Sequence, residues 1–261
     1  MENFNKESFV ECLDKEHCFL VEVFDIIGST NDYLIERARQ GDKEGTIIVA
    51  TSQTKGKGRM GRKFHSPDGG VYFSVLLRPD KGNPAVSYLT AATALCLKQS
   101  IEEVYGVKTG VKWVNDVYLD GRKCAGILTE SALDYERGGY SYVVVGIGVN
   151  LFAPEEGYPK EIEDIATAIN VSVDNGAERL VATTINKLFD WYNNFDKVRF
   201  ITEYRSSLML IGKRVRVLQA GADKGIATVL GIDDECHLEV QYENGAKETL
   251  FYGEVSLCLR P

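Results

Sequence analysis

The chain has 261 residues, 44% of them hydrophobic, and a formal net charge of −8. No stretch approaches the run of about 18 apolar residues that a membrane-spanning helix needs, and the acidic opening MENFNKESFVECLDKEH has no apolar signal core. The acidic balance argues against general nucleic-acid affinity, which needs a basic face. Six cysteines without C-x-x-C spacing and three scattered histidines give no zinc signature, so reduced thiols in a cytoplasmic protein are the expectation.

In chain order, a short helix is expected over 7–16 and a strand over 18–25. Ser29 or Thr30 then caps a helix in STNDYLIERARQG, with Leu34, Ile35 and Ala38 on its apolar side and Gly41 at its stop. GTIIVAT (45–51) and VYFSVLLR (71–78) read as strands on either side of a glycine-rich segment. From Pro84 to about Tyr105 the residues Val86, Leu89, Thr93, Leu97, Ile101 and Val104 recur at helical spacing. Residues 111–130 read as a hairpin turning at Asp120-Gly121. SYVVVGIGVNL (141–151) is apolar almost throughout, as a central strand would be. Residues 152–212 read as helical and connecting. From Lys213 the pattern becomes short strands (RVRVL, GIATVLGI, LEVQY, KETLFY, VSLCL) between Gly, Asp and Asn turns, which suggests a small β-barrel as a second domain, 1–211 and 212–261 being the two units.

One segment departs from the acidic background. Residues 55–63, KGKGRMGRK, hold Lys55, Lys57, Arg59, Arg62 and Lys63, five of the 30 cations, where an even spread would place about one; local positive charge on an acidic protein points to a bound anion. Gly56, Gly58, Gly61, Gly69 and Gly70 let backbone N–H groups approach that anion, and the arginines add planar donors for phosphate oxygens. A solvated hairpin tip is the plain alternative. The segment is neither a Walker loop nor a dinucleotide fingerprint.

Three other segments fit an anion site. Gly28-Ser29-Thr30-Asn31 offers helix N-terminal donors to a carboxylate or polar head group, or is ordinary capping. Lys112–Asp116 with Gly121–Gly126 places Lys123 and Asp116 on one hairpin, as a surface pair or as a phosphate contact and a group that holds Mg²⁺ or orients a reactant. Gly146-Ile147-Gly148-Val149-Asn150 allows a ligand close to a buried strand, with Asn150 able to bond its polar edge.

Together STNDYL (29–34), Gln53, KGKGRMGRKFHSPDGGVYFS (55–74), KWVND (112–116), GRKCAGILTE (121–130) and VGIGVNL (145–151) resemble, in order, the biotin protein ligase family. The resemblance covers essentially 25–151 and implies an α+β fold: a mixed sheet packed with helices, like class II aminoacyl-tRNA synthetases and the biotin–lipoate ligases, plus a small C-terminal SH3-like β-barrel. It implies an ATP-dependent ligase that makes biotinyl-5'-AMP and passes biotin to a lysine of a biotin carboxyl carrier protein, acetyl-CoA carboxylase being the usual recipient. Biotin and ATP are then substrates, and Mg²⁺ is held mainly by the ATP phosphates.

By the same resemblance Ser29, Thr30, Gln53, Gly56, Lys57, Gly58, Arg59, Lys123 and Gly126 surround biotin. Arg59, Arg62, Phe64, Lys123 and Asn150 meet ATP or the adenylate. Arg59, Arg62, Lys123 and Asp116 carry the chemistry, and the glycine-rich loop closes over the adenylate. Departures from the family pattern are Lys57 for an arginine, Met60 in an often basic slot, Phe64 for a tryptophan expected to stack on adenine, and Val114 for a proline, which is expected to loosen the backbone there. A lipoate or octanoate ligase is the nearest alternative. A biotin-responsive repressor is disfavoured because only about 17 residues precede the first expected strand, and a non-enzymatic RNA-binding protein because of the acidic charge. Monomer and homodimer both remain compatible; no DNA or membrane partner is expected.

Overall fold

The computed structural model describes residues 4–219, 222–251 and 254–257. Cys258 and the ends of the last two expected strands lie outside the described residues.

A short helix, α1 (Lys6–Cys12), ends earlier than its expected span. Strands β1 (Leu20–Ile27) and β2 (Thr46–Gln53) run parallel, joined by helix α2 (Thr30–Arg39). Ser29 caps α2 by accepting from the Asp32 N–H. β3 (Gly70–Leu77) turns back antiparallel on β2. The helical pattern from Pro84 opens as a 3-10 turn, Pro84–Tyr88, before α3 (Leu89–Tyr105). The expected hairpin is a three-stranded meander, β4 (Gly110–Lys112), β5 (Asp116–Leu119) and β6 (Arg122–Leu133), followed by β7 (Tyr140–Asn150). Asp120 and Gly121 both have positive φ, as a tight two-residue hairpin requires.

The sheet order is β1-β2-β3-β7-β6-β5-β4, and every pair except β1–β2 is antiparallel. β7 is the middle strand, which accounts for its unbroken apolar run: residues 142–150 are all buried. Alternation along the strands sends side chains to two different cores. Ile48, Leu76, Tyr142 and Val144 meet Leu34 and Ala38 of α2 on one face. Ile47, Val49, Val75, Val143 and Val145 meet α3, α4 (Gly176–Asn193) and α5 (Lys197–Ser207) on the other.

The C-terminal strands are β8 (Arg214–Gln219), β9 (Ala222–Ile232), β10 (Leu238–Tyr242), β11 (Lys247–Leu250) and β12 (Glu254–Leu257). They form a second antiparallel sheet, ordered β11-β10-β9-β8-β12, consistent with the expected SH3-like unit. Its buried Val215, Val217, Val229 and Leu238 belong to the same continuous core as α3 and α5.

Candidate functional site

The site lies where α2 stops covering its face of the sheet. Moving along that face, β7 presents Tyr142 and Val144 under α2, then Gly146 and Gly148. Register places Gly146 between Ser74 and Leu128, and Gly148 between Tyr72 and Gly126. The glycines leave a bare floor, with the N-terminus of α2 as one wall. A narrow pocket open to solvent results, lined by Ser29, Thr30, Gln53, Lys57, Gly58, Arg59, Phe64, Asn115, Lys123, Gly126 and Leu128, among others.

Its end wall is a buried polar chain. Gln53 Oε1 accepts from Thr30 N–H (2.8 Å), and Gln53 Nε2 donates to Ser66 Oγ (3.1 Å). Thr30 Oγ1 lies 2.8 Å from Ser74 Oγ, which donates to Asn31 Oδ1 (2.6 Å). Asn31 Nδ2 donates to Glu130 Oε2 (2.8 Å). Thr30 Oγ1 itself donates to Gln53 Oε1 (3.2 Å), so every hydroxyl in the chain has a partner, as burial demands. A Cβ on Gly146 would fall 1.9 Å from Asn31 Oδ1; this glycine is what admits Asn31 to the sheet.

The cation-rich loop forms the roof as a narrow hairpin. Gly58 N–H donates to Arg62 O (2.7 Å) and Phe64 N–H to Gly56 O (3.0 Å). Its tip turns through Met60 (φ 56°) and Gly61 (φ 74°). Gly56 closes the two arms: a Cβ there would lie 2.3 Å from Ser66 Oγ and 2.5 Å from Phe64 O. Lys57 reaches from the roof to Asp32 on α2, with Glu130 of β6 at 3.7 Å. The hydrogen bond to Asp32 and the nearby carboxylates raise its pKa. Phe64 lies against the floor, so that a Cβ on Gly148 would come within 2.6 Å of its ring and one on Gly126 within 3.2 Å.

Two cations sit at the far end of this cavity. Arg59 Nη1 donates to Asn115 Oδ1 (3.0 Å), and Asn115 Nδ2 donates to Ile127 O (2.9 Å), so a buried amide aims the guanidinium. Lys123 Nζ bonds Asp116 Oδ1 at 2.6 Å across the β5–β6 hairpin. Gly126, opposite Asp116 in register, makes room for it: a Cβ there would lie 2.9 Å from Nζ. Lys123 also stands over the Phe64 ring, 5.5 Å from its centroid.

Beyond these residues the cleft continues. One part of it is lined by Arg59, Arg62, Lys63, Asn115, Asp116, Lys123 and Val255. A larger part is lined by Arg62, Phe64, Lys112, Lys123, Asn150, Tyr158 and Ala166, among others. Phe64 and Lys123 border all three. Asn150 Nδ2 is spent on Thr167 O (2.9 Å), fixing the side chain at the edge of the largest space. At Val114, where a looser backbone is expected, the carbonyl accepts from Tyr204 Oη (3.1 Å).

Ser29, Thr30, Gln53, Lys57, Gly58, Arg59, Lys123 and Gly126 therefore share one cavity, while Arg62, Asp116 and Asn150 line the adjoining ones and Gly56 lines none of them. Sequence reasoning passed over Asn31, Ser74, Glu130, Asn115 and Tyr158. Asn31 and Asn115 stood inside segments already singled out. Ser74 and Glu130 likewise close two of those segments, 55–74 and 121–130, where sequence alone assigns them no role. Burial pushes the Cys124 thiol, beside Lys123 in sequence, up to about 12.

A polar end pocket thus opens past an arginine and a lysine into a wider, cation-lined cleft, an arrangement with room for two small ligands end to end. Residues 23–150 match the biotin/lipoate A/B protein ligase family, and residues 210–258 match the biotin protein ligase C-terminal domain. The bifunctional ligase/repressor BirA of Bacillus subtilis is 34% identical over 232 residues, spanning 86% of this chain and 70% of that one. The biotin–[acetyl-CoA-carboxylase] ligase of Mycobacterium tuberculosis is 33% identical over 219 residues, 81% and 79% of the two chains. The biotin protein ligase of Aquifex aeolicus, solved with biotin and ATP, superposes with a TM-score of 0.73 at 27% identity, covering 91% of this chain and 98% of that one. The chain belongs to the biotin protein ligase family.

Proposed function

We propose that this chain joins biotin to ATP as biotinyl-5'-AMP and then transfers the biotinyl group to a lysine of a biotin carboxyl carrier protein. The observation that carries this reading is the seam at Arg59 and Lys123, where the polar end pocket meets the cation-lined cleft. Biotin's ureido ring, with N–H donors and a carbonyl acceptor, suits the wall of Ser29, Thr30 and Gln53; its valeryl chain lies over Gly126 and under Gly58 and Lys57. Its carboxylate then arrives at Arg59 and Lys123. The α-phosphate comes from the other side, toward Arg62, and the base lies in the largest space, between Phe64 and Asn150.

In the first half-reaction a carboxylate oxygen forms a bond to the α-phosphorus and the bond to pyrophosphate breaks. Both reactants are anions, so the barrier depends on fixed donors at the point of approach; each such donor is worth roughly 3–4 kcal/mol. Arg59 is held for this by Asn115, and Lys123 by Asp116. In the second, a carrier lysine amine attacks the acyl carbon, AMP leaves and the amine loses a proton. Among the described residues no group of three or more His, Cys, Asp or Glu side chains converges on a metal position. Asp116 and Asp164 are the carboxylates facing the phosphate-side spaces, which fits Mg²⁺ entering with the nucleotide and offsetting phosphate charge there. None of the described helices is long and apolar enough to cross a membrane; a cytoplasmic place of action suits these substrates and the free thiols.

A lipoyl or octanoyl chain has no ureido group to offer the end wall and so forgoes the hydrogen bonds biotin would add there, each worth about 0.5–1.5 kcal/mol. Offering the chain equimolar biotin, lipoate and octanoate with ATP and apo carrier domains tests this by mass spectrometry. Biotinylated carrier is expected. Lipoylated or octanoylated carrier as the main product would overturn the reading.

A further inference from the structure

The turn Asp233–His237, between β9 and β10, is braced from within. Asp233 Oδ1 accepts from the backbone N–H of Glu235 (2.8 Å) and of His237 (2.9 Å), and its Oδ2 lies 2.9 Å from His237 Nδ1. Arg205 of α5 donates to Ile232 O (3.0 Å), and Tyr88 donates to Glu235 (2.6 Å), so the turn is also anchored to the larger sheet's helices. The Cys236 carbonyl is presented outward and accepts from Trp113 Nε1 at 2.7 Å, both groups being buried. Two residues further on, Asn115 holds Arg59.

We propose that Trp113 is a positioning residue: its hydrogen bond to the Cys236 carbonyl lets the C-terminal sheet set the Asn115 amide that aims Arg59 at the reacting carboxylate. The proposal rests on the adenylation reading above. A buried indole N–H is costly without an acceptor, and here the acceptor is itself set by the bonds that brace the turn, so ring and backbone are fixed together. One residue separates Trp113 from Asn115, and its carbonyl, Val114 O, accepts from Tyr204, so the three residues are held as one turn in which the seat of the indole bears on the seat of the amide. Displacements of about 1 Å at a reacting centre cost on the order of 100-fold in rate, and a partial shift costs less.

Trp113→Phe keeps an aromatic ring and removes the donor. Asp233→Ala lines none of the cavities described above and unbraces the acceptor. Single-turnover formation of biotinyl-AMP, and biotin affinity without ATP, are measured for each well below its melting temperature. Trp113→Phe should slow adenylate formation about 10-fold while leaving biotin affinity within about 2-fold. Asp233→Ala should slow it about 3-fold, and the double variant should be no slower than Trp113→Phe, because both act through one bond. Adenylation at the wild-type rate in Trp113→Phe, loss of biotin affinity in step with rate, or multiplying effects in the double variant would each overturn the proposal. A wild-type chain that makes no biotinyl-AMP overturns the functional reading itself; an active wild type matched by Trp113→Phe overturns this inference alone.

Discussion

The loop at 55–64 and the turn at 112–116 both bring polar side chains to the same cleft, and they are held in opposite ways. The turn is fixed by buried bonds from several elements: Trp113 to the C-terminal sheet, Val114 to α5 and Asn115 to β6. The loop closes mainly on itself, its tip carries a Met60 side chain that is 66% exposed, and Lys57 ties it down through half-exposed ion pairs. The firmly held turn suits aiming, and on the function proposed above the loosely tied loop is the roof that would open for substrate and carrier. Arg59 is where they meet, a loop cation aimed by a turn amide.

The largest effect is expected at that meeting point. Arg59→Ala should reduce biotinyl-AMP formation about 10²–10³-fold with an unchanged melting temperature; normal carrier biotinylation by this variant would break the comparison. Gly146→Ala attacks the rigid side, since the new Cβ cannot coexist with Asn31 in its place. It should cost about 2–4 kcal/mol through stranded buried polar groups, which for a chain of this size lowers the melting temperature by roughly 5–15 °C, and biotin affinity should fall with it.

Lys57→Ala tests the loose side. An exposed pair contributes at most about 1 kcal/mol, so adenylate escape, followed by release of free biotinyl-AMP, should accelerate only about 2–5-fold. The pKa of Lys57 is raised above its ordinary 10.5 by Asp32, so the pair is fully present below that value and lost only as pH rises through the raised one. The difference between variant and wild type should be constant from pH 6 to pH 9, about the range usable for the assay. Smallest of all, iodoacetamide at neutral pH should label exposed Cys12 and Cys18 and spare buried Cys96, Cys124 and Cys236, leaving activity intact. Labelling of Cys124, whose thiol burial pushes up to about 12, would show that the floor of the site opens.

Much of this was legible in the sequence, and for physical reasons. Strand and helix periods located most strands together with α2 and α3, while α4 and α5 were legible only as a helical, connecting stretch, and the apolar run at 141–151 identified the central strand because only a strand covered on both faces is apolar throughout. Glycine and cation density located the loop. What stayed hidden depends on contacts between distant segments. Gly126, Gly146 and Gly148 form one floor only after β6 and β7 pair in register. Ser74 and Glu130 read as ordinary strand residues until Asn31 bridges them. The role of Trp113 needs a partner more than a hundred residues away, and no local pattern carries that. Gly56 was read as a ligand contact, whereas its neighbours show it closing the hairpin.

The most direct measurement is a crystal structure of the chain grown with biotinyl-5'-AMP. The ureido ring is expected against Ser29, Thr30 and Gln53, the acyl phosphate between Arg59 and Lys123, and the adenine beyond Phe64 toward Asn150, with the loop at 55–64 folded over the anhydride. Ligand density elsewhere, or a reversed ligand with its adenine in the end pocket, would contradict that arrangement.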